Sequence, residues 1–264
     1  MKPVSTLDAA TVTAAQRASQ TARVLLILPC YNEAGSIGTL LTEIASLGLG
    51  YDTVVIDDGS SDDTHTIASN LSPCVRLLEN LGIGGAVQTG IRYAQRNGYD
   101  FCVQIDGDGQ HPPGQVARLL AAYKPGKANL VVGSRYLSAD TFRSTFARRL
   151  GGEVIGRSIG FLFGIKRLTD PTSGMRLMDR AAIEFFAVRY PHDYPEPISL
   201  AWALQYGLGV TEVPVQMRAR EHGSSSIAGP QTFAYMVRVL SYIALAWLQH
   251  GPRSRKVQTG MESS

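Results

Sequence analysis

Cysteine, net charge and long apolar runs are all scarce in this chain of 264 residues, and each scarcity removes a class of protein. Cys30, Cys74 and Cys102 are scattered and form no Cys-x-x-Cys pair, so neither a disulfide framework nor a thiolate zinc site is expected, and a reducing cytosol fits. A formal charge of +3 is too small for a nucleic-acid partner unless it is concentrated. Concentration occurs only from Arg135 to Arg167, where Arg143, Arg148, Arg149, Arg157 and Lys166 face just Asp140 and Glu153. A basic run among apolar residues suits anionic lipid or phosphate, and equally a solvated helix face. The most apolar segment, residues 233–248, holds about 16 residues against roughly 20 for a spanning helix. Arg238 near its middle would cost about 2.5–3.5 kcal/mol at the bilayer centre. Phe233, Met236, Val237, Leu240, Ile243, Ala244, Trp247 and Leu248 recur there at helical spacing and predict one buried stripe. That helix either packs on its own domain or lies in a membrane interface. Residues 1–22 lack an apolar core of signal-peptide length and read as a tail, as do residues 251–264. Between them the expected organisation is one domain over residues 23–230 and an amphipathic helix over 231–250.

What the chain does have is strands alternating with helices. Residues 24–28 are a continuous apolar run ending in Pro29, and residues 34–47 carry Ile37, Leu40, Leu41 and Ile44 at helical spacing. Strands follow at 53–56, 75–78 and 101–105, with helices at 64–70 and 83–94 between them; the Ser and Asp residues of 57–63 can cap the first of these helices. This pattern predicts an α/β fold, a mostly parallel sheet covered on both faces, whose ligands gather at the carboxyl ends of the strands. Four polar clusters fall at those ends: Pro29-Cys30-Tyr31-Asn32-Glu33, Asp57-Asp58-Gly59-Ser60, Asn80 to Gly85, and Asp106-Gly107-Asp108.

The last cluster carries the sharpest chemistry. Alternation along an extended chain sends Asp106 and Asp108 to one side, and glycines on either side of Asp108 let the backbone approach a bulky ligand. Two carboxylates leave most of a Mg²⁺ or Mn²⁺ shell open for water and phosphate, as in sites that bind a metal together with a diphosphate. The other clusters suit a nucleotide. Tyr31 can stack on a base, Glu33 can accept from ribose hydroxyls, and Asp57 or Asp58 can accept the N–H of a uracil or guanine. The Gly82-Ile83-Gly84-Gly85 run lacks a following Gly-Lys-Ser/Thr and does not follow the first strand, so it reads as the tight start of a helix. His111 reads as a hydrogen-bonded neighbour rather than a metal ligand, and Asp170 as the partner of Arg167 or Arg176.

Six ordered motifs then resemble family 2 glycosyltransferases: Pro29-x-Tyr31-Asn32-Glu33, Asp57-Asp58-Gly59-Ser60-x-Asp62, Asn80-x-Gly82-x-Gly84-Gly85-Ala86, Asp106-Gly107-Asp108-x-Gln110-His111-Pro112, Gly133-Ser134-Arg135-Tyr136, and Asp170-Pro171-Thr172-Ser173-Gly174-Met175-Arg176. The resemblance spans about residues 23–227 and is nearest to the dolichol- and polyprenyl-phosphate hexosyltransferases. It implies a GT-A fold and inverting transfer of a hexose from a nucleotide sugar of the UDP-glucose or GDP-mannose class to a polyprenyl or dolichyl phosphate. Asp106 and Asp108 would bind the metal, Gln110 lies beside them, and Arg135 would hold the diphosphate or acceptor phosphate. Pro29, Tyr31, Asn32, Glu33, Asp57, Asp58, Gly82 and Gly85 would line the nucleotide side. The segment Arg220-Glu221-His222-Gly223-Ser224-Ser225-Ser226 resembles the phosphate-clamping Arg-x-x-Gly-x-Ser-Lys motif, with Ser226 in place of the lysine. Arg220 and Ser225 would touch phosphate there, and His222 is a candidate metal ligand.

A phosphate acceptor is already an anion and needs cations such as Arg135, Arg218 and Arg220 rather than a base. A hydroxyl acceptor, the alternative, needs a carboxylate, for which Asp193 or Glu196 stands ready. A third reading is a non-catalytic nucleotide-sugar-binding subunit. The expected location is the cytoplasm, with peripheral contact to the membrane face and binding to anionic vesicles through residues 154–168.

Overall fold

The continuous apolar runs become strands buried on both faces. In the computed structural model, which describes residues 22–137, 146–218 and 231–249, every residue of β1 (Val24–Cys30) is buried, as are the last four of β2 (Asp52–Asp57). With β3 (Cys74–Arg76), β4 (Phe101–Gln104), β5 (Leu130–Ser134), β6 (Arg176–Asp179) and β7 (Val210–Pro214) they form one sheet of order β3-β2-β1-β4-β6-β5-β7. All pairings are parallel except those of β6, which runs antiparallel to β4 and β5. The helices are α1 (Ile37–Ser46), α2 (Thr64–Leu71), α3 (Gly82–Arg96), α4 (Val116–Ala122), α5 (Phe146–Phe163), α6 (Arg180–Val188), α7 (Pro195–Gln205) and α8 (Gln231–Gln249).

Strand alternation splits the core in two. Leu25 and Ile27 of β1 face a layer built with Val87 and Ile91 of α3, Ile183 and Phe186 of α6, Leu200 of α7, Ile155 and Ile159 of α5, and Val239 and Ile243 of α8. Val24, Leu26 and Leu28 face the other layer, under Leu40 and Leu41 of α1, Ala68 of α2 and Leu119 of α4.

Several boundaries differ from the sequence reading for local reasons. α1 starts at Ile37 rather than 34, because Ser36 N and Ile37 N both donate to Glu33 O and turn the chain first. β3 stops at Arg76 rather than 78, and Leu78 is fully exposed. Asp63 is the residue before α2 but makes no cap bond; Asp62 accepts from Thr64 N (3.0 Å) and from Ala34 N (3.1 Å) instead.

α8 corrects the predicted stripe. Val239, Ile243 and Ala246 are buried, whereas Val237, Trp247 and Leu248 are exposed, and Arg238 faces solvent. A helix apolar on most of its circumference does not reveal by periodicity which face its neighbours α5 and α7 will cover. Among the described residues no helix is long and apolar enough to cross a membrane.

This topology brings the carboxyl ends of six parallel strands to one edge, and antiparallel β6 delivers residues 170–175 to the same edge from its amino end.

Candidate active site

The Asp106 loop is fastened at several points. Ile105 N donates to Ile27 O, continuing the ladder past β4, and Asp106 N donates to Nδ1 of buried His111 at 3.0 Å. That ring nitrogen is therefore an acceptor holding the loop's shape. Gly107 packs against Cys30 so closely that a Cβ would collide with the thiol sulfur. Ser36 Oγ lies 2.9 Å from Gly107 O and 2.8 Å from Glu33 Oε2, linking the loops after β1 and β4. Asp106 Oδ1 accepts from Gln104 Nε2 at 3.3 Å, and Asp108 Oδ1 accepts from Gln110 N at 3.0 Å. Both Asp106 and Asp108 remain partly accessible.

Among the described residues no three His, Cys, Asp or Glu side chains converge on a metal position. Two hard carboxylates at a rigid, accessible loop fit a divalent cation that takes its remaining oxygens from a diphosphate and water.

The loops after β1 and β2 are stitched together by backbone N–H groups that donate to side-chain oxygens. Asn32 sits in the left-handed region (φ 55°), which asparagine tolerates, and its N–H donates to Ser60 Oγ at 2.9 Å while its Oδ1 accepts from Ser61 N at 2.9 Å. Glu33 N donates to Thr64 Oγ1 at 2.7 Å. Tyr31, the residue after the end of β1, leaves 48% of its surface exposed at the rim.

Asp57 and Asp58 have different settings. Asp57 is fully buried, accepts from Ser60 N at 3.0 Å and lies 3.4 Å from Arg76 Nε. Asp58 accepts from Leu81 N at 2.8 Å; burial raises its pKa, and the Leu81 and Gly82 N–H groups oppose that shift. Gly82 has φ +76°, and a Cβ on Gly84 would collide with the carbonyls of Pro191 and His192. The Gly82–Gly85 glycines thus start α3 tightly and let it meet the segment before α7.

On the other side, Asp170 pairs with Arg135, not with Arg167 or Arg176 as the sequence suggested. Arg135 Nε and Nη2 both reach the buried Asp170 carboxylate at 2.6 Å, and Arg135 N donates to it at 2.9 Å. Arg167 pairs with Glu153 at 2.8 Å. Arg176 is 1% exposed and donates to Ser173 O, Pro171 O and Ser199 Oγ at 2.8, 3.0 and 2.7 Å.

Glu196 lies in the first turn of α7, where burial raises its carboxyl pKa; Arg176 opposes the shift and Asp106 adds to it, so Glu196 shares the field of the Asp106 loop. Asp193 is exposed and acts on Arg238 instead. Arg218, read as a phosphate contact, makes a two-pronged pair with Glu43 of α1 at 2.6 and 2.7 Å, while its N–H donates to Gln110 O at 2.9 Å. Arg220, His222, Ser225 and Ser226 lie outside the described residues.

Gly174, Gln104 and Glu212 were not singled out as site residues from the sequence. A Cβ on Gly174 would stand 2.9 Å from both Asp106 carboxylate oxygens. Only the position of Gly174 within the Asp170–Arg176 motif hinted at this.

Residues 25–186 match the model of glycosyl transferase family 2. The chain belongs to this family. It is 31% identical over 236 residues to the polyprenol monophosphomannose synthase of Mycolicibacterium smegmatis, covering 84% of this chain and 87% of that one. It is also 31% identical over 252 residues to the undecaprenyl-phosphate mannosyltransferase of Micrococcus luteus, covering 88% and 98%. Among solved structures, glucosyl-3-phosphoglycerate synthase from Mycobacterium tuberculosis, in complex with Mn²⁺, UDP and phosphoglyceric acid, superposes with a TM-score of 0.68 at 19% identity, over 94% of this chain and 84% of that one. This glycosyltransferase therefore has the GT-A fold that the motifs implied.

Proposed function

We propose that this glycosyltransferase moves a hexose, with inversion, from a nucleoside diphosphate sugar to a polyprenyl phosphate, in the building of cell-envelope glycans. The observation that carries the reading is its likeness, along nearly the whole of both chains, to two enzymes named for mannosyl transfer to polyprenyl carriers. Those names make GDP-mannose the first donor to test and UDP-glucose the second.

Asp106 and Asp108 would hold Mg²⁺ or Mn²⁺, which would offset the negative charge gathering on the departing nucleoside diphosphate. Tyr31 and Asp58 would meet the base, Asn32 and Glu33 would border the ribose, and the loop ending in Gly82 and Gly85 would close that side. A phosphate monoester attacks as an anion and needs no general base. Cations must hold it instead, and Arg135 with Arg220 is assigned that role, supported by Ser225. His222 is the remaining candidate to complete the metal shell.

One observation favours a second reading. Glu196 is a carboxyl of raised pKa within the field of Asp106, as a base for a hydroxyl acceptor would be. The deciding experiment offers labelled GDP-mannose and UDP-glucose with undecaprenyl or dolichyl phosphate, with and without Mn²⁺, and extracts into organic solvent. Label that never enters the organic phase, with donor still consumed on soluble glycans, would reverse the two readings; no donor turnover at all would favour a nucleotide-sugar-binding subunit.

A bilayer acceptor requires the site to reach a membrane surface. α5 and α8 pack together and expose Leu150, Val154, Phe161, Val237, Leu245 and Leu248, with Arg149, Arg157 and Arg238 among them. We assign this face, wider than residues 154–168, to docking on anionic lipid at the cytoplasmic surface. Sedimentation with anionic vesicles that weakens at high salt is expected; equal sedimentation with neutral vesicles would count against it.

A further inference from the structure

Residues 169–174 have no regular secondary structure, so side chains must set their shape and satisfy their polar groups. Glu212, on β7, brackets one end. Its Oε2 accepts from Thr169 N at 2.7 Å and from Thr169 Oγ1 at 3.0 Å, and its Oε1 accepts from Asp170 N at 2.8 Å. Asp170 in turn accepts the three Arg135 hydrogen bonds already described, and Arg135 Nη2 also donates to Thr172 Oγ1 at 3.0 Å. The other end is held by Ser173 Oγ on Gly133 O (2.6 Å) and by the Arg176 fork, and there Gly174 rests against the Asp106 carboxylate.

We propose that Glu212 is a positioning residue for glycosyl transfer: by bracketing Thr169 and Asp170 it fixes the Asp170 carboxylate, and through it the orientation of the Arg135 guanidinium at the reacting phosphates. The inference rests on the reading of Arg135 as a phosphate-holding cation. Its logic lies in donor and acceptor count. Two backbone N–H groups point at one side chain together with a hydroxyl, so the bracket needs a group that only accepts. Glutamine has the same shape but must turn an NH₂ toward one of these donors. The bracket then opens at Thr169 or Asp170 with little change in volume.

The test is a kinetic double-mutant cycle of Glu212→Gln and Arg135→Lys, run on the full chain with Mn²⁺. Both transfer to polyprenyl phosphate and hydrolysis of the donor sugar are measured, together with the Kd of the free nucleoside diphosphate. Glu212→Gln is expected to lower kcat/KM about tenfold, in the range of supporting residues behind a first layer of ligands. The Kd should move less than about twofold, because the loops after β1, β2 and β3 are untouched. The decisive result is non-additivity: the double variant should match Arg135→Lys alone within about twofold. Losses that multiply, or an unchanged kcat/KM in Glu212→Gln, would overturn the proposal. Should Glu212→Gln fail to fold, the same cycle with Thr169→Val, which puts a methyl in place of the hydroxyl shared by Glu212 and Ser134, is judged by the same criterion. A wild-type protein that hydrolyses donor but never loads the lipid would refute the acceptor assignment while leaving this cycle readable.

Discussion

Replacing Gly174 with alanine isolates the placement of Asp106 from the stability of the fold. The new Cβ would stand 2.9 Å from Oδ1 and Oδ2, whereas ordinary contact begins near 3.4 Å, so the carboxylate must retreat by about 0.5 Å. The clash is with the end of a side chain whose terminal torsion is broad, so the retreat costs less than about 1 kcal/mol of stability. Function is less forgiving. A displacement of 1 Å at a reacting centre costs on the order of a hundredfold, and half of that displacement gives about tenfold, or ~1.4 kcal/mol in the barrier. The expected result is a kcat reduced about tenfold at saturating donor, a higher Mn²⁺ concentration for half-maximal rate, and a urea midpoint close to wild type. Gly152→Ala is the control: among the described residues, no heavy atom outside its own stretch of helix lies within 4 Å of its added Cβ, and mid-helix alanine should raise stability by up to about 1 kcal/mol with unchanged kinetics. Wild-type kinetics in a well-folded Gly174→Ala would refute the placement of Asp106 at the chemistry. A loss of several kcal/mol would show that the backbone moves instead.

Other substitutions probe separate parts of the site. Asp108→Asn should lower donor turnover at least a hundredfold, about 2.7 kcal/mol, and activity that is wild-type and still Mn²⁺-dependent would sink the metal assignment. Glu196→Gln should leave transfer to polyprenyl phosphate within about threefold, whereas a base for a hydroxyl acceptor would lose roughly 10²–10⁴. The same variant has a stability signature. Burial raises the Glu196 carboxyl, so the folded state holds its proton more tightly than the unfolded chain; wild-type stability is lost as pH rises from the ordinary carboxylate value of about 4.3 through the raised one. The urea midpoint of Glu196→Gln should therefore gain on wild type between pH 4 and pH 7.5, and a constant gap would contradict the shift. Arg176→Met strands Ser173 O and Pro171 O in the interior and takes one of the partners of Ser199 Oγ, and it should cost about 3 kcal/mol or more in urea unfolding, with Arg176→Lys recovering little because one ammonium cannot replace the fork.

The half of the site that was legible in the sequence is the half made from neighbouring residues. Asn32, Asp58 and Asp106 each lie just past the end of an apolar run, and parallel strands bring such ends together whatever the details of packing. Asp170 shows why the rest was hidden. Its partner depends on β5 lying beside β6 and on the loop before β6 turning toward Ser134, and neither fact has a signature in spacing. Arg167 and Arg176 were closer along the chain and pointed the wrong way. The same holds for Gly174, whose meaning lies in a contact with a residue far back in the chain, and for α8, whose apolar circumference left its buried face unmarked.

The position of β6 also bears on how the site comes into being during synthesis. β6 is made after β5, yet it lies between β4 and β5 in the middle of the sheet. Until it inserts, β4 and β5 each keep an unpaired edge toward the gap, and the loop carrying Asp170 and Gly174 has no fixed place. The loops after β1, β2 and β3 can thus order early, while the Asp106–Gly174 contact waits for the central strand. A nascent chain halted before Arg176 should be aggregation-prone and unable to turn over donor, even with every residue of the carboxylate loop already made.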